Sequence, residues 1–255
     1  MYTGNIGLFN SGTLNIGIGN SGNINTGIWN SGSVNTGIGS VVSQHGTVSG
    51  FGNTGTYESG FGNTGSYDVG FGNTGNFSSG FMNKNLTGYF DTGFFNGNND
   101  VGFYNTSTGG QDVGFLNSGT GKFDTGIGNL GSGSGNTGIL NFGSGGSNTG
   151  ILNFGSGGNN AGILNFGSGG LNVGILNSGS GGANAGILNF GSGGSNTGIL
   201  NFGSGGGNTG ILNFGSGGSN TGILNSGLED SGLGNSGNFD SGFFNRSDNQ
   251  SGFFK

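Results

Sequence analysis

The chain contains no cysteine and no proline, one histidine, one tryptophan and only 5% charged residues. Without cysteine there is no disulfide framework and no thiolate metal site, and the redox compartment stays open. Without proline, and without glycine at every third position, a collagen-like helix is excluded. The four basic residues, Lys84, Lys122, Arg246 and Lys255, lie far apart among 255 and form no stripe that could neutralise phosphates. Nucleic acid is therefore not an expected partner. No apolar run approaches transmembrane length. The first residues, Met1 to Asn5, enter a repeat at once, with no charged and then apolar stretch of a conventional signal peptide.

What is present is glycine, 71 residues of 255, and a strict spacing. Glycine-, serine- and asparagine-rich chains often fail to bury enough apolar surface to order. Here, however, hydrophobic residues make up 29% of the chain and recur at fixed intervals. The unit reads Asn-x-Gly-x-x and begins at Asn5, Asn10, Asn15, Asn20, Asn25, Asn30 and Asn35. Adjacent units differ in kind, Thr13-Leu14 or Asn23-Ile24 against Ile18 or Ile28, so the true period is ten. One repeat array is expected over residues 1–255, divided into a decapeptide block at 1–39, a phase break at 40–50 and a Phe/Tyr decapeptide block at 51–83. Irregular repeats follow at 84–135, twelve-residue repeats of the form NTGILNFGSGGS at 136–226, and a pentapeptide block at 227–255.

Such a register predicts an all-β fold, a parallel β-solenoid, with right-handed winding expected. Each coil lies on the last at about 4.8 Å, so equivalent side chains form columns. The asparagine column Asn136, Asn148, Asn160, Asn172, Asn184, Asn196, Asn208 and Asn220 is expected to form an amide ladder. Glycine two residues after each asparagine suits a corner. Two apolar columns are expected to supply burial. One is Ile139, Ile151, Ile163, Ile175, Ile187, Ile199, Ile211 and Ile223; the other is Leu140, Leu152, Leu164, Leu176, Leu188, Leu200, Leu212 and Leu224. The column after asparagine holds Thr137, Thr149, Ala161, Val173, Ala185 and Thr197, an exchange that suits small inward side chains. A coil of 10–12 residues and one of 20–24 both fit the spacing.

Candidate chemistry is sparse. His45 lies in the phase break with no nucleophile or orienting acid nearby in sequence, and reads as a solvated loop residue. Eight acids occupy the asparagine slot: Glu58, Asp68, Asp91, Asp100, Asp112, Asp124, Asp230 and Asp240. They are too few per repeat for a calcium roll and read as ladder substitutes that accept backbone N–H groups. The GSGG segments lack the Lys-Ser/Thr of a phosphate loop and read as flexible glycine corners. A threonine ice-binding face would need an outward array, and the Ala161, Val173 and Ala185 interruptions speak for an inward one. The Phe-rich units at Tyr89-Phe90, Phe94-Phe95 and Phe103-Tyr104 read as core. No catalytic, cofactor-binding or metal site is expected, and no enzymatic activity.

The Asn-x-Gly-x-x unit, seen in Asn15-Ile16-Gly17-Ile18-Gly19-Asn20-Ser21-Gly22 and in the GNTGILNFGSGG block, resembles the major polymorphic tandem repeats of mycobacterial PPE proteins. The resemblance implies a secreted or cell-surface repeat domain, with a host-facing or antigenic role or an adhesive role at the envelope. Its partner would be an unidentified protein or envelope component. That family carries a helical Pro-Pro-Glu domain that pairs with a PE protein. The absence of proline places that domain outside this chain, so PE pairing is not expected. Both ends lie within the repeat register, which suggests a segment of a longer protein. The chain is less similar to pentapeptide repeats centred on Leu or Phe, some of which mimic DNA with an acidic face.

Overall fold

The computed structural model describes residues 3–40, 48–85, 90–215 and 217–255. His45, most of the phase break and Tyr89 lie outside the described residues. Two compact units are present, Met1–Ser118 and Gly119–Lys255. Each is a parallel β-solenoid whose short strands pair with their equivalents one coil on.

Coil size follows from the register. In the first unit Ile6, Gly7 and Leu8 pair with Ile16, Gly17 and Ile18, a ten-residue step. In the second, Thr137, Gly138 and Ile139 pair with Thr149, Gly150 and Ile151, a twelve-residue step. Each coil is therefore a flat loop of two arms. The front arms form the longer sheet: eleven strands from Ile6–Leu8 to Val113–Phe115 in the first unit, and twelve from Thr125–Ile127 to Ser251–Phe253 in the second. The back arms pair in shorter runs, such as Thr54–Thr56 with Thr64–Ser66, or through single bridges such as Phe154 to Phe166.

Between the arms run two inner columns. The first holds Asn15, Asn25, Asn35, Val48, Glu58, Asp68, Ser78, Asp91, Asp100 and Asp112, and in the second unit Asp124, Asn136 and its equivalents to Asn220, then Asp230 and Asp240. The second holds Asn20, Asn30, Ser40, Asn53 and its equivalents to Asn117, and in the second unit Asn129, Asn141 and their equivalents to Asn245. From first column to second the chain always takes five residues, as from Asn35 to Ser40, Asp91 to Asn96 and Asn136 to Asn141. From second back to first it takes five in decapeptide coils, seven in twelve-residue coils, eight from Ser40 to Val48 and from Asn83 to Asp91, and four from Asn96 to Asp100. Every phase shift and insertion in the sequence thus falls between a second-column residue and the next first-column one, and within each unit the front strands keep their register.

These columns are the core, and they are almost wholly polar. Among the described residues Val48 is the one buried hydrophobic side chain. The isoleucine and leucine columns expected inside lie outside: Ile139 to Ile211 are 39–40% exposed. The Thr137–Ala161–Val173 column also faces out, with Val173 50% exposed. Phe94, Phe95, Phe103 and Tyr104, read as core, are exposed as well. The reason is spacing. On a three-residue front strand the first and third side chains share the outer face and the middle residue points inward. That middle residue is the glycine expected at a corner. At Gly150 a Cβ would lie 2.0 Å from the carbonyl oxygen of Gly162 in the next coil, so the backbones are too close for any side chain. The corners fall instead on the fifth residue of each unit: Leu140, Leu152 and Leu164 have φ of 54–57°.

The GSGG segments stack as tightly. The N–H of Asn159 donates to the Gly146 carbonyl at 2.9 Å. A Cβ on Gly145 would lie 2.3 Å from Gly157. These glycines are packed coil on coil, where the sequence suggested loose corners.

Candidate functional site

Two features of the molecule carry chemistry: the inner columns and the outer apolar columns. In the second inner column each asparagine binds three coils. Asn153 donates its backbone N–H to Asn141 Oδ1 at 3.2 Å and its Nδ2 to the same oxygen at 3.1 Å. The same Nδ2 donates to Thr149 O in its own coil and to Gly162 O in the next, both at 3.1 Å. The first column works alike: Asn148 Nδ2 donates to Asn136 Oδ1 at 3.0 Å and to Gly145 O at 2.8 Å, and Asn160 repeats the pattern on Asn148. An amide suits these positions because one end accepts and the other donates, which matches the groups the two arms present. A buried group left unmatched costs about 1–3 kcal/mol.

All eight slot acids fall in the first column, and none in the second. The aspartates among them keep the acceptor half of the asparagine role, as at Asp68, Asp91, Asp100, Asp124, Asp230 and Asp240. Asp68 Oδ1 accepts the Ser78 N–H at 2.7 Å, Asp124 Oδ1 that of Asn136 at 2.8 Å, and Asp230 Oδ1 that of Asp240 at 3.0 Å. The donor half is lost. Both oxygens of Glu58, which is 1% exposed and stacks on Val48, and Oδ2 of Asp68 have no hydrogen-bond partner. Burial, with the charge of Asp68 adding to it, pushes the Glu58 carboxyl up to about 8. Burial raises Asp68 to about 6 against the opposing hydrogen bond from Ser78. Asp100 rises to about 7, from burial first and also from the neighbouring Asp112 and Asp91 charges, with the Asp112 N–H opposing. Asp91 and Asp230 are raised by burial too. A protonated carboxyl has one acceptor and one donor, and so restores what an asparagine supplies. Among the described residues no group of three or more His, Cys, Asp or Glu side chains is placed to hold a metal ion.

Outside, like side chains stack on like. Phe61 and Phe71 lie 4.9 Å apart with planes 3° apart, Tyr57 and Tyr67 4.6 Å apart, and Phe154 and Phe166 5.2 Å apart. The rings cover one another's faces and present their edges. Where the repeats are irregular, a shallow pocket of about 320 Å³ opens on the surface between Met82, Lys84, Phe95 and Tyr104. Sequence reasoning identified the columns as columns. It placed their apolar members on the wrong side, because alternation along a three-residue strand is too short to show in the pattern. That the acids share one column was legible in retrospect: each precedes a front strand of the form Ser/Thr/Val-Gly-x.

No helix among the described residues is long and apolar enough to cross a membrane. Residues 4–42 match the family model of pentapeptide repeats, in 8 copies. No curated protein and no solved structure matches the chain. Beyond the matched segment the five-residue step from one inner column to the other recurs through both units, as from Asn136 to Asn141 and from Asp240 to Asn245.

Proposed function

We propose that this pentapeptide-repeat solenoid is a non-enzymatic structural and interaction module, displayed at a cell surface or secreted. The observation that carries this reading is the division of labour between inside and outside. The interior asparagines hold coil to coil, while the outer faces present long uncharged columns of Ile, Leu, Phe and Thr. Contiguous exposed apolar surface of this extent marks a contact site. The resemblance to the PPE repeats supports a mycobacterial envelope setting, with engagement of a host receptor or of the envelope itself as its role.

The test is binding of the purified chain to host receptors and to envelope fractions, side by side, together with protease shaving of intact producing cells. Saturable binding to either target and loss of the chain on shaving support the reading. A chain that is protected in intact cells and binds neither target overturns it.

A further inference from the structure

The front sheet of the second unit has a shape that the proposed interaction role does not by itself explain. Its outer face carries two parallel columns. One is tall and apolar without interruption, from Ile127 to Phe253. The other, two residues earlier on every strand, is low: Thr137, Ala161, Val173, Ala185, Thr209 and their equivalents, ending in serines. The charged residues of this unit all sit in the inner columns, on back arms or at coil ends, so the face bears no charge. A ridge therefore runs beside a groove along the length of the sheet.

We infer that this face is an interface with a second copy of the chain, formed about a two-fold axis parallel to the solenoid axis. That operation turns the face onto itself with left and right exchanged. The isoleucine ridge of each copy then lies in the Thr/Ala/Val groove of the other. The rungs stay in step because both copies repeat at the same spacing of about 4.8 Å, a match that an unrelated surface does not offer. The contact is isologous and closes at two copies. Twelve strands span about 53 Å, and three residues of strand add about 10 Å of width, so each copy contributes about 500 Å². The total of about 1,000 Å² stands at the lower bound for a specific interface, which sets a reversible dimer. Absence of charge removes both steering and repulsion and leaves shape to decide the partner.

The proposal rests on reading the outer columns as a contact surface, and its test is separable from that reading. Sedimentation velocity of the full chain through the micromolar range is expected to show a monomer–dimer equilibrium. Ile175→Lys, on the ridge, is expected to weaken it at least tenfold, and Ser192→Lys, on the back arm, to leave it unchanged. Ala185→Leu is the decisive variant. It adds apolar surface but fills the groove, so it weakens the dimer if the ridge seats there and strengthens it if the association is merely greasy. Circular dichroism checks that each variant keeps its β signal. A chain that is monomeric throughout, a dimer indifferent to Ile175→Lys, or one tightened by Ala185→Leu overturns the proposal. Binding to receptor or envelope, measured separately, is untouched by that result.

Discussion

Asp112 donates its backbone N–H to Asp100 Oδ1 at 2.9 Å, so two carboxyl side chains stand one above the other inside the first column, in slots that the twelve-residue coils fill with amides. Ionised carboxylates so stacked repel within a buried column; a protonated carboxyl offers an acceptor and a donor, as asparagine does. The consequence for stability has a definite sign. Glu58, Asp100 and Asp68 have folded-state values raised to about 8, 7 and 6. Protons are then held more tightly folded than unfolded. Their contribution is complete below the unfolded values near 4, and is lost as pH climbs through the folded ones. The chain is expected to be most resistant to denaturant near pH 4–5 and to weaken steadily up to pH 8, the reverse of a protein whose acids form ion pairs. Asp68→Asn combined with Asp100→Asn is expected to flatten that profile and to stabilise the chain at pH 8. Urea midpoints measured at several pH values decide it, and a midpoint that rises with pH is the contrary result.

The amide column without acids offers the complementary experiment. Asn165 Nδ2 reaches Asn153 Oδ1, Ala161 O and Gly174 O, and its Oδ1 takes the Asn177 N–H at 3.1 Å. Asn165→Ala strands several buried groups and is expected to cost about 3 kcal/mol or more. Asn165→Asp keeps the acceptor and loses the donor. It is expected to approach the parent at pH 4 and to fall toward the alanine variant at pH 8. If the aspartate variant matched the parent at both pH values, the donor half of the ladder would not matter, and the account of the first column would fail with it.

How much of this was legible beforehand depends on which contacts repeat with the coil. Asn136, Asn148 and Asn160 stack as an exact twelve-residue recurrence, and periodicity alone reveals that. Facing is another matter. Ile139 lies three residues after Asn136, and nothing in the spacing says which of them is inside. Hydrophobicity suggests isoleucine; the structure chooses asparagine, because the coils present carbonyls to the interior that need a donor, such as Thr149 O and Gly162 O for Asn153. The constant front arm was hidden for a different reason. The break from Ser40 to Val48 and the Gly-Gly insertions look alike as disruptions of phase, and only pairing of Asn35 with Val48 shows that they belong to one side of the coil.

Glycine inside the front strand is a second point of strict demand. Gly60 has φ of 119°, and a Cβ there would lie 2.0 Å from Gly70 O, so Gly60→Ala must push two coils apart. Gly52, by contrast, has φ of 61° and open space for 4 Å around the point where a Cβ would stand, a conformation asparagine also adopts. Gly60→Ala is expected to unfold the coils around it, and Gly52→Asn to change stability by less than about 1 kcal/mol. Thermal denaturation of the two variants side by side separates steric demand from conformational demand; equal losses would mean that the close approach is not real.

The corner that precedes the first inner column is where the sequence leaves stability unclaimed. Its φ is positive in every twelve-residue coil, yet its occupants are Gly135, Ser147, Asn159, Leu171, Ala183, Ser195, Gly207 and Ser219. A left-handed conformation costs an ordinary L-residue roughly 1 kcal/mol relative to glycine or asparagine. Leu171 has φ of 64° and is 58% exposed, so it bears that strain and buries little in return. Leu171→Asn is expected to raise stability by about 1 kcal/mol, with Ala183→Asn acting in the same direction and the pair adding only in part, since the two corners lie on adjacent coils. Denaturant titration of the single and double variants reads the effect directly. A loss on Leu171→Asn would show that this leucine's packing along the edge outweighs its backbone strain, and would move the corner from a tolerated position to a selected one.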